Sequence, residues 1–431
     1  MPPAGHQARR PTTASRDRAA NVSAPPLRRT GLTLLLLTVL LTATNGFAQT
    51  EEGPDPASVR VRIGPLWMSP RLELSNLGVD TNVFNEPADA NPKKDFTATI
   101  TPSTDLWLRM GRSWFQATIR EDLVWFQKYS AERSANNSYR ISWRMRLNRL
   151  FVSLTPEYIS TRARPGFEID ARAKRKEYGG QADVEVRAFS KTGLAVTGSW
   201  RKVGFAEEAV FLGINLQSEL NRTTTALGVS LRHQVTPLTS ISLNVGRTQD
   251  RFEFSSLRDS DSTSVSGSVS FDPHALLKGG ASFGYRDFQP LSPGLPGYKG
   301  ATAIGDLSYA LLGATRFEVR FRRDVNYSYD VNQPYYIESG VSGSIAQQVY
   351  GPVDVVGRLG ASRLAYRDRA NATIAVRDRT DHVRGYGGGV GVHMGRDLRL
   401  GFNVDHEHRS SDVASREYNG LKYGLAVTYG F

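Results

Sequence analysis

Two runs of arginine carry the clearest chemical potential in this chain. Arg140, Arg144 and Arg146 share one parity, and Arg316, Glu318, Arg320 and Arg322 repeat the pattern with one acid among them. An arginine stays charged and carries five donors. A row of them can form a pathway for a polar or anionic solute, or can lock into ion pairs that brace a wall. Acids such as Glu157, Asp306 and Asp405 are numerous enough for the second outcome. His406-Glu407-His408 has the composition of a metal cluster. It lies in a segment of strand periodicity, where both histidines face away from the glutamate, and no helix supplies an i, i+4 pair. Asp80 and Asn82 in Gly-Val-Asp-Thr-Asn-Val-Phe (78–84) suit a turn, with cation binding as the alternative. No spacing singles out a nucleophile and its base, and there is no cysteine among the 431 residues. Disulfide, thiolate-metal and thiol redox chemistry are thereby excluded. The expectation is a protein that is not an enzyme and has no catalytic site, metal or cofactor.

The elements that must position these residues are strands. Tyr139, Ile141, Trp143, Met145 and Leu147 alternate with Arg140, Ser142, Arg144 and Arg146. Phe317, Val319 and Phe321 alternate with the second ladder. Period-two patterning of this kind runs almost from end to end. Segments of about 10–14 residues exceed an ordinary soluble strand and match a tilted strand crossing a bilayer. Eighteen of them fit between residues 66 and 431, or sixteen if two weak ones are loops. Short turns such as Gly111-Arg112 and Gly395-Arg396 alternate with longer loops such as 162–176 and 204–220. An open sheet edge in lipid would leave unpaired backbone groups, each costing several kcal/mol. The expected fold class is therefore all-β: a closed, antiparallel, up-and-down transmembrane β-barrel in outer-membrane lipid, with both termini periplasmic.

Such a barrel is too wide for its own side chains to fill. The loops best suited to fold inward are 162–176, with Arg162, Arg164, Arg172, Lys174 and Arg175, and 204–220. Gly385, Gly387, Gly389 and Gly391 leave the inner wall bare, giving space or the close approach of a loop. Glu121 falls on the lipid face beside Ile119 and Leu123, which calls for a bulge or a position near the interface.

Formal charge is +12, yet residues 1–48 hold six arginines and one aspartate. Arg28-Arg29, the apolar run Gly31–Leu41 and Gly46-Phe47-Ala48 read as a secretory signal peptide cut after Ala48. That leaves +7 on 383 residues and removes the main support for a nucleic-acid partner. Residues 49–65 then form a short periplasmic leader, and 66–431 the barrel. Mean hydropathy of −0.37 excludes a helical membrane protein but not a barrel, which needs only half of its strand residues apolar.

The final segment places Tyr423, Leu425, Val427, Tyr429 and the terminal Phe431 on one face. It resembles the insertion signal of bacterial outer-membrane barrels, which implies reading by the barrel-assembly machinery. The 78–84 motif resembles the Asp-x-Asn-Val-Phe opening of the putative beta-barrel porin group. Some members of that group resemble outer-membrane components of exopolysaccharide export. The resemblance implies a hydrophilic channel for exopolysaccharide, working with a periplasmic polysaccharide-export protein. The alternatives are a general diffusion or solute-uptake porin, and a non-conducting structural or adhesive barrel.

Overall fold

The computed structural model describes residues 59–272 and 275–430. The expected signal peptide, the leader before residue 59, the Pro273-His274 turn and Phe431 lie outside the described residues. Eighteen long strands follow in order: β1 Leu66–Asp80, β2 Asp95–Met110, β3 Ser113–Phe126, β4 Ser134–Leu147, β5 Leu150–Thr161, β6 Arg175–Arg187, β7 Thr192–Phe205, β8 Arg222–Thr236, β9 Thr239–Phe252, β10 Ser260–Phe271, β11 Leu277–Pro290, β12 Tyr298–Leu311, β13 Thr315–Tyr327, β14 Tyr335–Tyr350, β15 Val353–Arg367, β16 Thr380–Met394, β17 Leu398–Ser411 and β18 Tyr418–Tyr429. Each pairs antiparallel with the next, and β18 returns to β1 with Leu72 opposite Tyr429 and Asp80 opposite Lys422. The sheet is a closed eighteen-strand barrel, so the sixteen-strand alternative falls away.

The alternation drives this wall. Leu227, Val229 and Leu231 of β8 are exposed on the outside, as are Leu243 and Val245 of β9 and Val265 of β10. In water that surface would be untenable; in lipid it is the required exterior. Aromatic pairs lie along both rims, including Trp67 against Trp114 at 5.8 Å and Phe96 against Trp125 at 6.4 Å. Tyr139, Tyr158 and Tyr178 form a row across β4–β6, with ring separations of 6.1 and 5.2 Å. Glu121 belongs to this belt. Its register with β4 is unbroken, which removes the bulge explanation, and the Tyr139 hydroxyl donates to its carboxylate at 2.6 Å.

The closing seam does contain a bulge. Both pairings of β1 shift register between Leu74 and Gly78, and Asn76 has φ 53°. A Cβ on Gly78 would lie 2.0 Å from the Tyr423 carbonyl oxygen, so the backbones can approach only with glycine there. Below the seam β18 stops pairing at Leu72, and a short strand, Val61–Ile63, folds back onto Leu66–Met68 instead. Arg60 pairs with Asp397 in the β16–β17 turn. The end of the expected leader is thus part of the wall, because the edge of β1 would otherwise be left unpaired. Buried apolar clusters gather at the long-loop end of the barrel, around Leu216 and Tyr329, Phe288 and Tyr335, and Leu364 and Tyr366.

Gly78→Val is expected to abolish closure, read as loss of heat-modifiable mobility on a gel. Gly198→Val is the control: a Cβ there meets nothing within 4 Å, and it should assemble like the parent.

Candidate functional site

The 162–174 loop joins β5 to β6 and reaches the loop between β13 and β14, eight strands away around an eighteen-strand ring. It therefore crosses the mouth. Glu168 is the crossing point. It is 2% exposed, accepts a hydrogen bond from Ser328 Oγ at 2.5 Å and another from the Tyr329 amide at 3.3 Å. Arg409 of β17 donates to the Phe167 carbonyl at 2.7 Å and pairs with Asp170 at 3.2 Å. Arg416 pairs with Asp170 at 2.8 Å and also holds the Glu168 carbonyl. Asp381 accepts from Arg409 and, at 2.6 Å, from Arg379. On the near side, Arg164 donates to the Val83 carbonyl at 2.7 Å, and Asn85 donates to Asp170 at 3.2 Å.

The second expected inward loop interlocks with the first. Residues 206–221 carry the helix α1, Leu216–Leu220, capped by Asn215, whose Oδ1 accepts from the Ser218 amide at 3.0 Å. Leu216 and Leu220 are buried, and Phe211 meets Tyr329 edge-on at 4.9 Å. Arg258, between β9 and β10, pairs with Glu219 at 3.1 Å and donates to the carbonyls of Ser328, Tyr329 and Pro334. The 328–334 loop is thus the hub that receives both inward loops.

The cations expected in the first loop are all engaged at the rim. Arg162 pairs with Glu132, Lys174 with Glu208 and Arg175 with Glu177, while Arg172 lies over the Phe126 ring at 4.6 Å. Burial beside Arg164 lowers the Arg172 guanidinium to about 10. The sequence pattern does not single out Glu168, Asp170, Arg258, Asp381, Arg409 or Arg416. The available signal was Phe167-Glu168-Ile169-Asp170, an apolar-acidic alternation inside an otherwise basic loop. Asp80 and Asn82 form the expected turn: Asp80 accepts from the Asn82 amide at 3.0 Å, and the Asn82 side chain bonds the backbone at Glu86 and Asn419. That turn presents Val83 to Arg164.

Below the loops the wall is charged and largely self-paired. Arg140 bonds Glu157 at 3.0 Å, and Arg320 bonds Asp306 at 3.0 Å and lies 4.0 Å from Glu318. Arg144 donates to Gln116 at 3.0 Å and Arg146 stands over the Phe151 ring. Arg316 and Arg322 make no ion pair among the described residues. The glycine run of β16 does not leave the inner wall bare, contrary to the expectation from sequence. Arg358 of β15 reaches across it to Asp405 of β17 at 2.9 Å, and Arg399 of β17 reaches back to Asp354 of β15 at 2.7 Å. A Cβ at Gly387 or Gly391 would lie 2.0 Å from Asp405 or 2.4 Å from Arg399, and one at Gly389 would lie 2.2 Å from Asn403, which also accepts from Arg358. Cavities of about 420 and 710 Å³ remain in the lumen. His406 and Glu407 fall on opposite faces: His406 lies against Tyr386 outside, while Glu407 accepts from the Tyr418 hydroxyl at 2.7 Å inside. Among the described residues no group of His, Asp and Glu is arranged to hold a metal.

A closed antiparallel wall with an apolar exterior and a charged interior defines a transmembrane channel of the outer-membrane porin class. Over residues 55–431 the chain matches the family described as Putative beta-barrel porin 2, and it belongs to that family. No curated protein matches it. Among solved structures, a BenF-like porin from Pseudomonas fluorescens Pf-5 is 13% identical, with a TM-score of 0.45 over 84% of this chain and 98% of that one. OpdO of Pseudomonas aeruginosa is 13% identical, with a TM-score of 0.45 over 84% and 96%. OccK9 (OpdG) of the same species is 14% identical, with a TM-score of 0.44 over 84% and 97%.

Burial pushes the Glu168 carboxyl up to about 7, against the Ser328 bond and the charges of Arg379 and Arg416. A released loop would titrate near 4.5. Between those values the docked loop holds a proton that the released loop does not. Docking is therefore strongest below about pH 4.5 and weakens as pH rises to 7, by on the order of 3 kcal/mol. Amide exchange over 162–174, corrected for intrinsic rate, should lose protection from pH 5 to 8 in the parent and lose markedly less in Glu168→Gln, where only Asp170, also raised by burial, still titrates with docking. Equal pH dependence in both would refute this. Arg409→Ala strips Asp381 and Asp170 of a buried partner and is expected to destabilise the docked loop by about 3–5 kcal/mol, seen as rapid exchange at every pH.

Proposed function

We propose that this porin passes small polar solutes through a mouth narrowed by the 162–174 loop. The observation that carries the reading is the buried ion network that ties this loop to the opposite wall. A constriction fixed in this way suits solutes that slip past it. A polymer would need the network broken for as long as it threads, and neither the family match nor the geometry favours exopolysaccharide export. The lumen below supports weak, repeated contact: Arg316 and Arg322 offer charge without an ion-pair partner, while Arg140, Glu318 and Arg320 are neutralised by neighbours. Contacts of this strength allow exit as well as entry.

In this reading the short turns and both chain ends face the periplasm and the long loops face outward. The last strand would be read by the barrel-assembly machinery through its outer face, where Tyr423, Leu425 and Tyr429 are exposed and Val427 lies between them. Phe431 would complete that signal.

Single-channel recording in planar bilayers tests the reading. The parent should conduct in small steps, and Arg409→Ala combined with Arg416→Ala should raise the conductance several-fold by freeing the loop. A parent without measurable conductance would leave a structural barrel. Unchanged conductance in the double variant would show that the loop does not set the constriction.

A further inference from the structure

The outer face of β13–β16 carries a cluster of basic side chains. Arg323, Ser339, Arg363 and His382 are consecutive cross-strand partners in one row on that face. Arg384 follows two residues further along β16, on the same side as Tyr386. Arg323, Arg363 and Arg384 are exposed. Arg323 donates to Ser339 Oγ at 2.6 Å and to the Ala301 carbonyl at 3.2 Å. Arg363 and Arg384 make no hydrogen bond or ion pair among the described residues. Several cations elsewhere on the outer rim have acids, while Lys176 of β6 is exposed there singly, with no neighbouring cation in its row. Arg247 and Arg251 share Asp261 at 2.9 and 2.7 Å, Lys299 holds Asp287 at 2.9 Å, and Lys202 lies 3.7 Å from Glu253.

Depth decides what this row can meet. Charge on a lipid-facing strand is costly at the midplane and nearly free at the interface. Arg363 is ten residues from Val353, where β15 leaves the short-turn end. At about 3.3 Å per residue and a tilt near 40°, that is about 25 Å along the membrane normal, the height of the apolar band. The row therefore lies where acyl chains end and headgroups begin. Directly inward along the strands come Phe321, Val341 and Ala361, which frame a recess of about 470 Å³ with the cations above them. Phe283 and Phe321 stack at 5.3 Å over Gly305 and continue the apolar floor.

We propose that the outer face of β13–β16 is a binding site for the phosphate of a lipid headgroup, with Arg363 and Arg384 as its clamp. Diagonal cross-strand positions are about 7–8 Å apart, a span two arginine side chains can close on one phosphate. The guanidinium fork matches phosphate oxygens two at a time. Arg323 and His382 flank the clamp, and the recess takes the first part of an acyl chain. A free anion would use the cations but not the recess, so the occupant is the lipid.

The test is native mass spectrometry of the full barrel in detergent with diphosphoryl lipid A, its dephosphorylated form, or inorganic phosphate. The parent should retain the phosphorylated lipid. Arg363→Gln with Arg384→Gln should lower retention by about ten-fold, the size expected for losing charge-assisted bonds, and should keep heat-modifiable mobility. Arg247→Gln with Arg251→Gln should retain lipid as the parent does. Arg384→Gln alone gives the readout if the double variant does not assemble. Undiminished retention in the clamp variant, equal retention of the dephosphorylated lipid, or loss of the lipid to millimolar inorganic phosphate would each overturn the site.

Discussion

Every other feature depends on the need to pair backbone polar groups where no water can reach them. In a hydrocarbon layer an unpaired amide or carbonyl costs several kcal/mol, so a sheet that crosses it must close. Closure explains why β18 returns to β1, and why the seam tolerates a bulge at Asn76 on condition that Gly78 lets the Tyr423 carbonyl approach. It also explains Val61–Ile63: the edge of β1 that β18 does not reach is covered by the chain's own preceding residues. The wall is complete before any side chain has done more than choose a face.

Closure creates a second problem, a lumen lined by charge. Ionic groups taken out of water need partners, and truncating one partner of a buried pair is far more costly than the pair is stabilising. The molecule answers this in two ways. On the wall, glycine in β16 lets Arg358 and Asp405, and Arg399 and Asp354, pair across an intervening strand. In the mouth, Arg409 and Arg416 find acids on a loop that starts on the far side. The second solution couples electrostatics to the size of the opening, because Asp170 can serve Arg409 only while the loop lies across the lumen.

Much of the fold was legible because strand periodicity is local. Alternation over Tyr139–Leu147 or Thr315–Tyr327 assigns a face to each residue without knowledge of the neighbouring strand, and counting such segments yields the barrel. The inward loops were legible as candidates, through their length and the width of the lumen. Their anchors were not. Glu168 and Arg409 are 241 positions apart, and only ring closure brings their strands to one mouth. The glycine run of β16 failed for the same reason: a missing side chain signals room, but what fills it comes from two other strands. Glu121 needed Tyr139, a residue of the next strand, before its place on the lipid face made sense.

Parity also sorts the charges by the medium they face. The sequence pattern treats Arg322 and Arg323 alike, as neighbours in a basic run, yet one faces the lumen and the other faces lipid. Inside, a cation can be balanced by an acid on any facing strand or loop, and many are; Arg144, held by a neutral glutamine, and Arg316 are among those whose charge shapes the field a solute meets. Outside, an unbalanced cation has no loop to recruit and must draw its counter-charge from the membrane itself. A strand of alternating residues therefore carries two electrostatic programmes at once, and shifting its register by a single residue would exchange them.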